Sequence, residues 1–136
     1  MKFAMYTFRA AGFYGLLVTF PLYFVEQKMG TDYPPAINHP EYYYSFIGVT
    51  VVWQILFLFM ASDPGRYRLL MIPCVLEKLS LVPVFLILFP RQSFPQLWIP
   101  LAIIDLTFGA LFLISFTKTK SLQPVRRNLS QWPDIA

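Results

Sequence analysis

Apolar residues fall along this chain in four long runs, roughly 8–25, 43–61, 67–89 and 97–116, and most charges lie between them. Each run approaches the ~20 residues a helix needs to cross about 30 Å of hydrocarbon. Together they occupy more than half of the 136 residues, which leaves no room for a separate soluble domain. The pattern predicts an all-α, polytopic membrane protein. It forms one domain, a bundle of four transmembrane helices, with a polar tail over 118–136.

Within the runs, small and polar residues mark the faces expected to turn inward. The first run carries Gly12, Gly15 and Thr19. Gly15 and Thr19 have the small-xxx-small spacing that lets helix backbones approach closely, and Pro21 is expected to bend the outer end. Pro34, Pro35 and Pro40 predict a non-helical loop over 26–41. A helix start then follows at Asn38-His39-Pro40-Glu41, with a cap, a first-turn proline and an acid at the positive end of the dipole. In the second run Tyr43, Ile47, Thr50, Gln54 and Ala61 form one stripe. Ser62-Asp63-Pro64-Gly65 closes a hairpin, with Asp63 expected to cap the third helix. That helix holds Pro73 and Pro83, each removing a backbone hydrogen bond from one turn earlier. On the fourth, Trp98, Ala102, Asp105, Gly109 and Phe112 share a face.

Composition sharpens the class. The chain is 57% hydrophobic and 13% charged, against about 25% charged for soluble domains. A net charge of +4 would suggest nucleic acid in a soluble protein, but its distribution argues for topology. With the N-terminus inside, the cytoplasmic side holds Lys2, Arg9, Arg66, Arg68, Lys118, Lys120, Arg126 and Arg127. The outer side holds only Lys28 and Arg91, and the remaining base is Lys78. This positive-inside bias predicts both termini in the cytoplasm, in an inner membrane, with the basic residues at anionic headgroups. The first run lacks a small-x-small cleavage site and is expected to stay as an anchor. In the tail, Leu122, Val125, Leu129 and Trp132 lie opposite Arg126 and Arg127. That spacing suits a short surface helix, and a disordered tail remains equally open.

The informative chemistry sits where charge is expensive. Glu77 and Lys78 are adjacent in the middle of the third run, and Asp105 is in the middle of the fourth. A charge at mid-bilayer costs roughly 2.5–3.5 kcal/mol on insertion scales, so these residues must face the interior and find partners. The candidate set is Glu77, Lys78, Asp105, Gln54, Thr50 and Ser80. Cys74, Glu77, Ser80 and Leu81 share a small, polar face, which makes Glu77 the expected ligand contact. Lys78 is rotated about 100° away and is expected to serve as counter-charge to Glu77 or Asp105. The set reads as the polar network of an assembly, as a pocket for the polar end of a quinone or lipid, or as a path for protons or ions.

Other chemistry finds little support. His39 stands among the scattered carboxylates Glu26, Asp32 and Glu41, which falls short of a zinc ligand pattern. Cys74 is the one cysteine, so no intrachain disulfide or CxxC chemistry is available. No nucleophile, P-loop or dinucleotide motif occurs. The expectation is therefore no catalytic residue, no metal and no cofactor. The partners expected are the bilayer, other membrane subunits or further copies of the chain, and no nucleic acid.

Several short stretches resemble one family. His39-Pro40-Glu41-Tyr42-Tyr43-Tyr44, Phe46-Ile47-Gly48, Trp53-Gln54, Asp63-Pro64 with Arg66 and Arg68, Leu76-Glu77-Lys78 and Asp105-Leu106 are similar to the DoxX-like group of small membrane proteins. The resemblance covers roughly residues 8–118. It implies a four-helix protein of the bacterial inner membrane. The namesake is linked to quinone-dependent oxidation of sulfur compounds, while most members have no assigned reaction, so no site residue carries over. The function expected from the whole sequence is that of an accessory or binding subunit without chemistry of its own.

Overall fold

A computed structural model describes residues 1–89 and 98–120 of the chain. Helix α1 spans Lys2–Thr19 and runs into a 3-10 segment, Phe20–Phe24. Next come α2 (Glu26–Asp32), α3 (Pro40–Ser62), a 3-10 turn at Arg68–Leu70, α4 (Met71–Leu79), α5 (Leu81–Leu88) and α6 (Trp98–Lys118). No strand occurs among the described residues. The α3 helix, the stretch Arg68–Leu88 and α6 are each long and apolar enough to cross a membrane. A fourth candidate is α1 with its 3-10 extension, joined to α2 through an 88° bend.

Several boundaries differ from the sequence reading. Helix α1 begins at Lys2, one and a half turns before the apolar run. Ala4, Thr7, Phe8 and Ala11 give it a buried stripe, and packing carries the helix through its polar first turns. The region expected as loop over 26–41 contains α2. Glu26 lies in its first turn, and Lys28 pairs with Asp32 one turn on at 2.9 Å, both favourable to a short helix. The prolines act only later, at 34 and 35. Asp63 does not cap α4 directly. Its Oδ1 accepts from the Arg66 N–H at 3.1 Å, which closes a turn before the 3-10 segment. The expected 67–89 helix is broken at Ser80, between α4 and α5. Pro83 accounts for the break, because its ring cannot fit the carbonyl of residue 79 in a continuous helix. Glu77 O accepts instead from Ser80 N–H at 3.2 Å and Ser80 Oγ at 2.6 Å.

The start of α3 is as the sequence indicates. Pro40 fills its first position after His39, whose carbonyl accepts from Tyr42 N–H at 3.1 Å. The expected stripe on α3 is also buried at Ile47, Gln54 and Ala61, with Phe57 and Met60 added. Helix α1 packs closely on α3, and α4 on α6. Gly12 permits the first contact, because a Cβ there would lie 2.9 Å from the Gln54 carbonyl oxygen.

The core is a cluster of rings. Phe8 stacks on Phe112 with centroids 4.2 Å apart, and Phe57 meets Phe112 edge-on at 5.0 Å. These three residues tie α1, α3 and α6 together, with Met60, Met71 and Cys74 packed around them. At one end of the molecule Lys118 Nζ lies 5.0 Å from the Phe3 ring, and Arg68 Nε donates to the Phe116 carbonyl at 3.2 Å. The start of α1, the α3–α4 connection and the end of α6 therefore meet there. Lys2, Arg66, Arg68, Lys118 and Lys120 gather at that end. At the other end, Tyr43 donates to the Leu22 carbonyl at 2.7 Å and Tyr44 to Glu26 at 2.8 Å, which fastens the bent segment to α3. The expected loop over 90–95, the surface helix through Leu122 to Trp132, and Arg91, Arg126 and Arg127 lie outside the described residues.

Candidate functional site

Helix spacing builds the charged centre. Met71, Cys74 and Lys78 lie at i, i+3 and i+7 on α4, and all three are buried. The interior stripe of α4 passes through Lys78, which is only 5% exposed. Glu77 sits at the edge of that stripe, with a partly buried side chain. The reason is steric. On α6 the facing residue is Gly109, where a Cβ would stand 3.3 Å from Lys78 Cβ, so the lysine stem fits in the space a side chain would fill.

From there Lys78 Nζ donates to Asp105 Oδ1 at 2.8 Å, across the α4–α6 contact. It lies 3.5 Å from Glu77 Oε2 and 5.3 Å from the centroid of the Phe57 ring. The ammonium is thus engaged on three sides, by two acids and an aromatic face. Asp105 is its main partner, as the shorter distance shows. Three charges meet here with one base for two acids.

Gln54 enters the same region from α3 and is 1% exposed. Its Nε2 donates to the Thr50 carbonyl at 3.2 Å. Its Oε1 makes no hydrogen bond among the described residues, and neither does Glu77 Oε2. Gln54 packs its amide directly against Gly15 of α1, at a place where a Cβ would overlap it. The small residue seen in the sequence thus serves the polar site as well as helix approach. The hydroxyls of Thr50 and Ser80 donate back to their own helices, to Phe46 O at 2.8 Å and Glu77 O at 2.6 Å. Towards their surroundings they offer lone pairs.

All six residues singled out from sequence line a single cleft of about 160 Å³. Tyr14, Gly15, Trp98 and Leu101 complete it, among others; Gly15 and Trp98 were marked in the sequence by their spacing, and Tyr14 and Leu101 were not. Relative to the aromatic core, the lining residues lie towards the end of the molecule that carries α2. On α1 they continue to Leu22, on α3 back to Phe46, and on α6 back to Trp98. The cleft therefore reaches the charged centre from that end, and the Phe8–Phe57–Phe112 cluster lies beyond it.

His39 stays apart from this site and pairs with Glu41 at 2.9 Å on the exposed surface. Cys74 donates to the Leu70 carbonyl at 2.9 Å, with its sulfur 3.3 Å from that of Met60. Among the described residues no group of three His, Cys, Asp or Glu side chains is placed to hold a metal ion. The chain matches no family model, no curated protein and no solved structure.

Proposed function

We propose that this chain is a small integral membrane protein that binds the polar end of a lipophilic molecule, such as a lipid, in the cleft between α1, α3, α4 and α6. In this reading it acts as an accessory or binding subunit, alone or beside other subunits, and carries out no chemistry of its own. It crosses a bacterial inner membrane four times, with both ends in the cytoplasm. The resemblance to the DoxX-like group belongs to the same proposal.

One observation carries it. Two carboxylates, Glu77 and Asp105, share the single ammonium of Lys78 and line a cleft of about 160 Å³ with partly exposed side chains. One base for two partly buried acids leaves a carboxylate short of counter-charge, and a partly exposed carboxylate beside open volume suits a partner that donates hydrogen bonds. The volume is below the ~300–1,000 Å³ of pockets that enclose whole drug-sized ligands. It suits a headgroup whose apolar part lies against lipid-facing side chains. The basic end, with Lys118 close to Phe3, supports placing the start of α1 and the end of α6 on one membrane face.

The test is to purify the wild type and Thr50→Phe in mild detergent, extract each with solvent and identify what comes with it. The phenylalanine ring takes up cleft volume from the partly exposed face of α3. The wild type is expected to carry a lipophilic molecule enriched at least tenfold over the variant. Equal extracts from two well-folded proteins would overturn the reading.

A further inference from the structure

The proposal that the cleft binds a lipophilic molecule leaves open which chemistry it selects. We infer that it selects a head that donates hydrogen bonds, a hydroxyl or an amine, whose apolar tail leaves through the groove between α5 and α6. The inference rests on the preceding reading of the cleft and adds the ligand class and its path.

The first argument is the balance of donors and acceptors. Lys78 brings the ammonium, already held by Asp105 at 2.8 Å and close to Glu77 and the Phe57 ring. Thr50 and Ser80 spend their hydroxyl protons on backbone carbonyls. The amide N–H of Gln54 does the same with Thr50 O. What remains is acceptors: the carboxylates of Glu77 and Asp105 share that one ammonium, and both partly exposed side chains line the cleft. Tyr14 and Trp98 also line the cleft, but neither residue is buried. A ligand bearing only a carbonyl or ether oxygen would add a further acceptor beside these two carboxylates. A hydroxyl or amine would satisfy one or both, and an ammonium would also balance the second acid.

The second argument is continuity. A separate apolar groove of about 120 Å³ lies between α5 and α6, bordered by Leu81, Val82, Ala102 and Leu106 among others. Leu81 lines both this groove and the cleft. On α6 the two linings alternate, with Leu101 and Asp105 facing the cleft and Ala102 and Leu106 facing the groove. Helix α5 follows the break at Ser80 and buries none of its residues. A molecule whose head reaches Glu77 therefore meets an apolar path immediately beside Leu81.

Native mass spectrometry of the wild type with four C16 probes tests this: 1-hexadecanol, hexadecylamine, methyl hexadecyl ether and 2-hexadecanone. The alcohol and the amine are expected to be retained at least tenfold more than the ether and the ketone. Glu77→Gln should reduce the amine's advantage over the alcohol. Ala102→Phe, which fills the groove, should weaken hexadecanol at least fivefold while leaving a short alcohol such as 1-hexanol unaffected. Retention of the ketone or ether on a par with the alcohol would overturn the donor rule and leave the cleft reading standing. An unchanged chain-length dependence in Ala102→Phe would overturn the path. Retention of no probe, together with no copurified molecule, would sink this inference and the cleft reading together.

Discussion

Lys78 shows how much of the site a sequence can reveal and where it stops. Its position at mid-helix beside Glu77, with Asp105 in the next run, already implied a buried ion pair, because charge at that depth needs a partner. Which side chain turned inward was not legible. Polarity of the neighbours favoured Glu77, whereas the structure buries Lys78 because Gly109 leaves space for its stem. That choice depends on α6, a helix distant in sequence that also carries the partner Asp105. Removing the base should leave two acids without their counter-charge. Lys78→Met is expected to destabilise the fold by about 3–5 kcal/mol, read as loss of thermal stability in detergent, and Asp105→Asn in the same chain should restore part of it. Unchanged stability of the single variant would mean that the pair is not buried in the membrane-embedded protein. Gly15→Ala should cost about 1–3 kcal/mol by overpacking, since the methyl meets the Gln54 amide. Melting the variant beside the wild type checks that value.

Among the elements, proline spoke clearly about where helices suffer and less clearly about how the chain responds. Pro40 marked the start of α3, which begins there. Pro83 implied a disturbed third helix, but the break falls at Ser80, where the hydroxyl and N–H both turn to the Glu77 carbonyl. The cluster of prolines after residue 33 obscured α2, whose own residues favour a helical turn. The break has a consequence for function, because α5 beyond it buries none of its residues and borders the apolar groove. Pro83→Ala should allow a continuous helix. Relief of an interior proline is expected to raise stability by about 1–3 kcal/mol, while retention of long-chain alcohols falls. A variant that is more stable and binds such chains as well as the wild type would separate the break from binding.

At the scale of the whole molecule, the apolar runs foretold the class well. Three helical stretches of 21–23 residues meet the requirements for crossing, and the bent α1–α2 pair supplies a fourth candidate. Basic residues gather at one end around Arg68 and Lys118, against the Lys28–Asp32 pair near the other. In a Cys74→Ala background, Lys28→Cys is expected to react with an impermeant maleimide in intact cells. Lys2→Cys and Lys118→Cys should react only after the membrane is opened, and the reverse pattern would invert the proposed topology. The cleft itself was legible only as a list of polar residues, since its volume arises where four helices meet. Its role can be tested most directly by native mass spectrometry of the wild type and of Gln54→Leu/Glu77→Leu, which replaces two polar side chains of the cleft lining with apolar ones. The account predicts one lipophilic molecule per wild-type chain and an empty variant that remains folded. The same adduct at the same occupancy on both proteins would contradict it.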